Sequence, residues 1–171
     1  MADRLFRVLS LDGGGAKGFY TPGIQREIEK LIGCPIHQRF DLIYGTSTGS
    51  IIAALLALGK SVPEILALYQ VHVPTVMKHK WSWGRTAALA HLAEEVFGDA
   101  TFLDVKTSVG VVATRWVEER PMIFKVHVAQ AFGSKASLRA RLWRADRGRG
   151  SSLLFGVPIF QAEDREDVKS G

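Results

Sequence analysis

The architecture of the protein is set by FDLIYGTSTGSIIAALLALG, residues 40–59. Residues 40–44 form a short apolar run that stops at Gly45, and such a run predicts a buried β-strand ending in a tight turn. From Gly49 to Gly59 the chain is apolar on nearly every side of a helical projection, which predicts a helix buried on most of its surface. Strand, tight turn and buried helix follow one another here, so the segment predicts the centre of an α/β domain.

The turn within this stretch, Gly45-Thr46-Ser47-Thr48-Gly49, has the pattern G-x-S-x-G. A serine on a strained strand-to-helix turn has its hydroxyl exposed at the carboxyl end of the strand, and the flanking glycines let neighbouring backbone approach. The N-terminal end of the following helix adds partial positive charge beside a developing oxyanion. The pattern therefore predicts Ser47 as a nucleophile. The simpler interpretation is a serine that caps the helix.

A glycine-rich loop, DGGGAKG at residues 12–18, follows a second apolar run at residues 6–11 and precedes a helical pattern. Successive glycines allow several backbone N–H groups to point at one place, which is what an anion or an oxyanion requires. A Walker A loop would need Ser or Thr after its lysine, and Lys17 is followed by Gly18, which excludes that motif.

The dinucleotide fingerprint G-x-G-x-x-G is matched literally by Gly13, Gly15 and Gly18. That fingerprint also needs an acidic residue at the end of the second strand, to hold a ribose. The acid near the second strand, Asp41, lies at its start instead. A nucleotide-binding α/β module therefore remains an alternative, with this mismatch against it.

The two motifs together closely resemble the oxyanion and nucleophile blocks of the patatin-like phospholipases. The resemblance is carried by LSLDGGGAKGFY, residues 9–20, and GTSTGSIIAALLALG, residues 45–59, and it extends over roughly residues 5–130. The residues around the two motifs are most similar to those of bacterial members, some of which are phospholipases activated by nucleotide signals in phage defence.

The resemblance implies a three-layer α/β/α fold with a mostly parallel sheet, and hydrolysis of phospholipids or other lipid acyl esters without a metal or organic cofactor. It implies Ser47 as the nucleophile and Lys17 as the basic residue near the loop or the substrate head group. The implied oxyanion hole consists of the N–H groups of Gly13, Gly14 and Gly15. The other motif residues are Asp12, Gly18, Gly45 and Gly49.

In this family a Ser–Asp dyad works by general base catalysis, and its aspartate lies in an Asp-Gly-Gly or Asp-Gly-Ala motif downstream of the serine. The present sequence contains no such motif. None of the aspartates after Ser47 precedes a glycine; they are Asp99, Asp104, Asp146, Asp164 and Asp167. We therefore expect very low hydrolase activity from this chain, because loss of a dyad partner leaves mainly oxyanion and binding effects. The alternative is a catalytically inactive lipid-binding or regulatory fragment.

From residue 138 onward no sustained period of 2 or 3.6 is present, and charge is dense. This pattern predicts a patatin-like domain at residues 5–137, incomplete in its C-terminal part, and a tail at residues 138–171 that is poorly ordered or non-native. Residues 134–152 hold six basic residues against one acid, which accounts for the whole formal net charge of +5. The rival interpretation is a basic segment that binds phospholipid head groups or another polyanion.

A Ser–His–Asp hydrolase is a further enzymatic alternative, because Asp104 and His127 follow Ser47 in the required order. His127 falls within an apparent strand and is more simply an outward-facing polar residue.

Cys34 has no cysteine partner and no metal-binding neighbours at ligand spacing.

The N-terminal residues lack the features of a signal peptide, and no window reaches the ~18 apolar residues of a membrane span. We expect a cytoplasmic protein whose lipid substrate would bring it to the membrane surface. The partners expected are a phospholipid or other membrane-surface lipid and an activating ligand or protein of unknown identity; no nucleic acid is expected.

Outside the two motifs, periodicity predicts a helix over residues 19–32 with an apolar stripe of Ile24, Ile28, Leu31 and Ile32. Ser61 and Glu64 have the spacing of a capping box at the start of another helix. A helix near residues 89–96 lies in a segment that is either a lid or an ordinary helical insertion. Strands are predicted at residues 107–116 and 122–128.

Overall fold

The computed structural model describes residues 5–14, 18, 20–78, 91–115, 120–125, 152–154 and 157–159. A four-stranded sheet contains β1 (Val8–Leu11), β2 (Leu42–Thr46), β3 (Ser108–Arg115) and β4 (Arg120–Lys125), in that spatial order. The first three strands are parallel and β4 is antiparallel to β3. The predicted α/β fold with a mostly parallel sheet is therefore confirmed.

Four helices with defined bounds connect the strands: α1 (Tyr20–Ile32), α2 (Ile36–Arg39), α3 (Thr48–Ala57) and α4 (Val62–Lys78). A further helical segment covers residues 91–97, and Gly98, at φ 50°, follows it. A short hairpin of β5 (Ser152–Leu154) and β6 (Val157–Ile159) lies within the segment predicted to be poorly ordered. The described residues contain no helix that is both long enough and apolar enough to span a bilayer.

The strand register places both sequence motifs at one edge of the sheet. Leu11 of β1 is paired with Gly45 of β2, and Thr46 is paired with Val112 of β3. β1 and β2 therefore reach their carboxyl ends at about the same level, at the side of the sheet where ligands bind in open α/β folds. The glycine loop after β1 and the turn after β2 are neighbours for this reason.

The core lies between the sheet and α3, as the apolar sequence of that helix predicts. Ile52, Leu55 and Leu56 of α3 are at most 1% exposed, and Ile43 and Val109 of the sheet are fully buried. Burial of side chains of this size contributes roughly 1.5–3 kcal/mol each. α3 is thus anchored along its length, and its first turn is fixed relative to the strands.

The opposite face of the sheet is more open. Val8 of β1 and Ile123 of β4 share that face, and they are 50% and 46% exposed. The strand register puts them on the side away from Ile43 and Val109, which contribute to the core around α3. In the part of the chain that the structure describes, apolar burial is concentrated on one side of the sheet.

The apolar stripe predicted for α1 is only partly covered: Ile28 and Ile32 are half-buried, but the other two residues are exposed, which corrects the expectation from its periodicity. Ile24 and Leu31 are 62% and 86% exposed, whereas Pro22 and Gln25 are buried. α1 packs against α4, and the fully buried residues of α1, Pro22 and Gln25, do not belong to the stripe. Amphipathic periodicity identifies the apolar face of a helix but not which face a neighbour will cover.

The other local predictions fare better. The capping box at the start of α4 is confirmed, because Ser61 N–H donates to Glu64 Oε2 at 2.8 Å and Glu64 N–H donates to Ser61 Oγ at 3.4 Å. The strand predicted at residues 107–116 is β3. The strand predicted at residues 122–128 begins earlier, at Arg120, and its residues beyond 125 lie outside the described part.

Candidate active site

Ser47 sits on a strained turn between β2 and α3. Its backbone has φ 50° and ψ −126°, and among the described residues other than glycine it alone has positive φ. Such a conformation costs of order 1–3 kcal/mol, so the surrounding structure must hold it. Ser47 occupies the N-cap position of α3, but its side chain makes no capping hydrogen bond. The capping interpretation of this serine therefore fails, and the geometry is that of a nucleophile elbow.

The two glycines of the elbow are required by close backbone packing. A Cβ on Gly45 would lie 2.6 Å from Ser50 Cα, and a Cβ on Gly49 would lie 2.6 Å from the carbonyl oxygen of Asp12. Contacts this short do not occur for real Cβ atoms, so any larger residue would push β1, β2 and α3 apart.

A buried hydroxyl behind the elbow completes the turn. Ser50 is fully buried, and its Oγ donates to the carbonyl oxygen of Gly45 at 2.7 Å. The backbone N–H of Ser50 donates to the carbonyl oxygen of Ser47 at 2.9 Å. Ser50 thus joins both sides of the strained residue. The sequence pattern did not single it out, because it lies one position beyond the motif.

The glycine loop touches the elbow directly. A Cβ on Gly13 would lie 2.8 Å from Ser47 Cβ, so the loop backbone runs against the side chain of Ser47. The N–H of Gly13 donates to Thr46 Oγ1 at 3.0 Å, and the N–H of Gly14 donates to Thr48 Oγ1 at 3.1 Å. The two threonines that flank Ser47 therefore fix the loop, a role that the variable positions of the G-x-S-x-G pattern did not reveal.

These hydrogen bonds decide what the loop can do chemically. Two predicted oxyanion donors, the amides of Gly13 and Gly14, are directed at the threonine hydroxyls on either side of Ser47. An oxyanion formed at Ser47 would compete with those hydroxyls for the amides, and a charged acceptor forms the stronger hydrogen bond. Thr48 N–H, at the first position of α3, lacks an intrahelical carbonyl partner and directly follows Ser47, so it is a further candidate donor.

Tyr69 of α4 is a second residue that the sequence did not identify. Its side chain is 4% exposed, and its Oη donates to the carbonyl oxygen of Thr48 at 3.0 Å. Burial raises the pKa of Tyr69 well above its ordinary value, so the phenol remains a donor across the accessible pH range. Its ring packs beside Gly18, the last glycine of the loop.

Of the remaining predicted motif residues, the structure describes some and not others. Asp12 is exposed at the end of β1, and its carbonyl oxygen faces Gly49. Gly15 and Lys17 lie outside the described residues, so their predicted roles are not located here.

The acidic residues considered from the sequence lie at the other edge of the sheet. Asp41 precedes β2, where its Oδ2 accepts a hydrogen bond from Arg7 N–H at 2.8 Å. Asp104 precedes β3 and accepts hydrogen bonds from the N–H and hydroxyl of Thr101, which lower the pKa of its carboxyl. Neither carboxylate is brought to Ser47, and His127 lies outside the described residues. The structure therefore gives no support to a ribose site at Asp41 or to a triad through Asp104.

A shallow cavity of about 480 Å³ lies at the same side of the sheet, where the parallel strands begin, which we call the amino edge. It is lined by His37, Phe40, Phe102, Lys106 and Thr107 among others. Burial and the charge of Lys106 lower the pKa of His37.

Cys34 is half-buried and unpaired. Within the described residues, no three His, Cys, Asp or Glu side chains are grouped so that they could hold a metal ion.

A parallel sheet with a G-x-S-x-G elbow at its carboxyl edge defines a class of α/β hydrolases. Within that class, the chain belongs to the patatin-like phospholipase family, whose model matches residues 9–149. The resemblance drawn from the two motifs is therefore confirmed, and with it membership of an enzyme family of lipid hydrolases.

Individual relatives agree with this assignment. The chain is 60% identical over 135 residues to a cUMP-AMP-activated phospholipase of Escherichia coli, a match that covers 79% of this chain and 42% of the relative. It is 33% identical over 131 residues to a cGAMP-activated phospholipase of Pseudomonas aeruginosa, covering 70% and 39%. The chain thus spans less than half the length of these relatives. The crystal structure of the type III effector ExoU aligns over 70% of this chain and 35% of its own, with a TM-score of 0.45 and 18% identity.

Proposed function

We propose that this chain carries the nucleophile and the oxyanion loop of a patatin-type lipid acyl hydrolase, with Ser47 as the catalytic serine. The observation that carries the proposal is the strained backbone of Ser47, held at the end of a parallel strand with the loop of Gly13 against its Cβ. The side chain of Ser47 makes no capping hydrogen bond that would account for the strain, and such strain is typical of functional sites. The family assignment supports a phospholipid or another lipid acyl ester as the substrate.

In the proposed reaction, Ser47 Oγ attacks the ester carbonyl carbon as its proton passes to a carboxylate base. The carbonyl oxygen becomes an oxyanion and takes N–H donors from Gly13, Gly14 or Thr48 in place of the threonine hydroxyls. Collapse of this intermediate expels the alcohol, which takes the proton back from the base and leaves an acyl group on Ser47. Water, deprotonated by the same base, then attacks the acyl carbon; the bond to Ser47 Oγ breaks, the serine takes the proton from the base, and the fatty acid is released.

The base in this scheme is an aspartate followed by glycine in related sequences, and this chain has none after Ser47. We therefore propose that the 171-residue chain is impaired in turnover while its nucleophile and loop are correctly built. The alternative, a lipid-binding or regulatory fragment with no chemistry, predicts that Ser47 is not reactive at all.

Labelling with a fluorescent fluorophosphonate probe, combined with turnover of vesicles containing phosphatidylethanolamine and phosphatidylglycerol, tests the proposal. We expect slow labelling that disappears in Ser47→Ala, together with turnover far below the about 1–10³ s⁻¹ of ordinary enzymes. Labelling that persists in Ser47→Ala would reject Ser47 as the nucleophile. Turnover in the ordinary range would reject impairment, and a folded chain that binds the vesicles but never labels would support the fragment alternative.

Control by a cyclic dinucleotide is a second part of the proposal, because two relatives are named for activation by cUMP-AMP and cGAMP. Addition of cUMP-AMP to the protein is expected to raise Ser47-dependent hydrolysis of the same vesicles. Unmodified 5′-AMP and 5′-UMP at equal concentration are the matched controls. Equal hydrolysis with and without cUMP-AMP would count against this control, and it would leave the role of Ser47 intact.

The division into a domain at residues 5–137 and a tail at residues 138–171 also stays a proposal. The family match extends to residue 149, which places part of the arginine-rich segment within the region of family similarity. Limited trypsin digestion followed by mass spectrometry tests the division. Cleavage first at Arg139, Arg141 or Arg144 supports it, whereas resistance of these sites in the folded chain would place the boundary further downstream.

A further inference from the structure

We propose that Tyr69 is a positioning residue that holds the nucleophile turn and the glycine loop together. The proposal rests on the proposed role of Ser47. It assigns to a side chain on α4, outside both motifs, the task of fixing the geometry on which that role depends.

The first contact is with the helix that follows the nucleophile. Tyr69 Oη donates at 3.0 Å to the carbonyl oxygen of Thr48, the residue directly after Ser47. A carbonyl in the first turn of a helix normally accepts one hydrogen bond from four residues further along, and its second lone pair can take this donor. The phenol thus ties the start of α3 to α4 at the residue beside the strained serine.

The second contact is with the loop. A Cβ on Gly18 would lie 3.0 Å from Tyr69 Cε1 and 3.4 Å from Tyr69 Oη, so the ring fills the space that a larger residue would need. The same imaginary Cβ would lie 3.5 Å from Thr48 Oγ1. Tyr69, Gly18 and Thr48 therefore meet at one point, where the end of the glycine loop crosses the start of α3.

The third contact links Thr48 to the glycine loop, whose amides are the proposed oxyanion donors. Thr48 Oγ1 accepts the N–H of Gly14 at 3.1 Å while the carbonyl oxygen of the same residue accepts the hydroxyl of Tyr69. A shift of Thr48 would therefore move the amide of Gly14 relative to Ser47. Misplacement of catalytic groups by about 1 Å can cost 10²-fold in rate, so a single hydroxyl on α4 is sufficient to affect reactivity.

The substitution Tyr69→Phe isolates this role, because it keeps the ring beside Gly18 and removes only the donor to Thr48. We expect the fluorophosphonate labelling rate of Ser47 to fall about 10-fold or more. Ile65→Val is the matched control: Ile65 is fully buried on the same helix, one turn before Tyr69, and its loss of a methyl group destabilises the fold without removing a hydrogen bond. Ile65→Val should label at the wild-type rate despite a lower unfolding midpoint.

Amide hydrogen exchange gives a readout that does not depend on reactivity. In Tyr69→Phe, peptides that cover residues 9–20 and 45–52 should exchange faster, while those that cover β3 should be unchanged. The proposal is overturned if Tyr69→Phe leaves exchange in these peptides unchanged, or if Ile65→Val slows labelling as much as Tyr69→Phe does. If no variant labels but exchange responds as expected, the positioning contact stands and the proposed reactivity of Ser47 fails instead.

Discussion

The two edges of the parallel sheet contain similar hydrogen bonds but differ in backbone strain. At the carboxyl edge, Ser50 Oγ donates to the carbonyl oxygen of Gly45 at 2.7 Å; at the amino edge, Thr107 Oγ1 donates to the carbonyl oxygen of Phe40 at 2.8 Å. Only the carboxyl edge adds a serine with positive φ among the described residues. Hydrogen bonds that brace a loop thus occur at both edges, and strain marks the edge where chemistry is proposed.

The largest effect should come from filling the tight contact at the carboxyl edge. Gly49→Ala places a methyl group against the carbonyl oxygens of Leu11 and Asp12, and we expect a loss of about 3 kcal/mol in the free energy of unfolding. Gly23→Ala is the control, since a Cβ there meets nothing within 4 Å. That change in α1 should be neutral or should stabilise by up to about 1 kcal/mol. Urea denaturation of both variants measures the difference, and equal stability would refute the packing argument.

A smaller loss in the free energy of unfolding is expected from substitution of Asp41 at the amino edge. Asp41→Ala removes the carboxylate that accepts the N–H of Arg7, and hydrogen bonds to charged groups contribute about 1.5–3 kcal/mol. Asp41→Asn keeps an acceptor and should lose less. Because this residue lies away from Ser47, the labelling rate of folded protein should not change in either variant. Slower labelling in Asp41→Ala would show that the two edges are coupled.

The two matched hydroxyls give the sharpest form of the comparison. Ser50→Ala and Thr107→Val each remove one hydrogen bond to a backbone carbonyl, and each should cost about 1 kcal/mol, or about 2–4 °C in Tm. Only Ser50→Ala should also slow the labelling of Ser47, because it alone touches the strained turn. Equal labelling by the two variants would mean that the elbow holds its shape without the hydroxyl of Ser50.

The smallest expected effect is on the pH dependence of thermal stability. Burial lowers the pKa of His37 below its ordinary value of 6.5, so the unfolded chain binds a proton more readily than the folded one. The contribution of this histidine to stability is therefore complete above about pH 6.5 and is lost as pH falls through the folded pKa. His37→Gln should reduce the fall in Tm between pH 7.5 and 5.5. An unchanged fall would assign the pH dependence to other groups.

Much of the site could be predicted because its chemistry is local in sequence. The G-x-S-x-G pattern between an apolar strand and an apolar helix fixed the place of Ser47, and the structure gives that residue the expected backbone. The threonines at its sides were not predicted, since the pattern leaves those positions open. Tyr69 left no signal at all: it is 21 residues from Thr48, and only tertiary packing brings its hydroxyl to that carbonyl.

Errors in the fold prediction have a common physical cause. β2 extends to Thr46, beyond the apolar run, because pairing with Val112 and not hydrophobicity determines where a strand ends. The stripe containing Ile24 and Leu31 was identified from its periodicity, but both residues are exposed and the fully buried residues of α1 lie elsewhere on the helix. Sequence periodicity is a property of one element, whereas strand ends and covered faces depend on neighbours.

The hydrogen bonds and close contacts that surround Ser47 also bear on the order in which the protein is made. Apart from the pairing of Gly45 and Thr46 with β3, they are supplied by residues 11–69: the end of β1, the glycine loop, β2, α3 and the part of α4 that contains Tyr69. Domains form from the N-terminus as a chain is synthesised at about 5–20 residues per second, and contacts between near neighbours in sequence form fastest. We therefore expect the turn at Ser47 to make most of its contacts within seconds of its synthesis, before β3 adds the pairing of Thr46 with Val112.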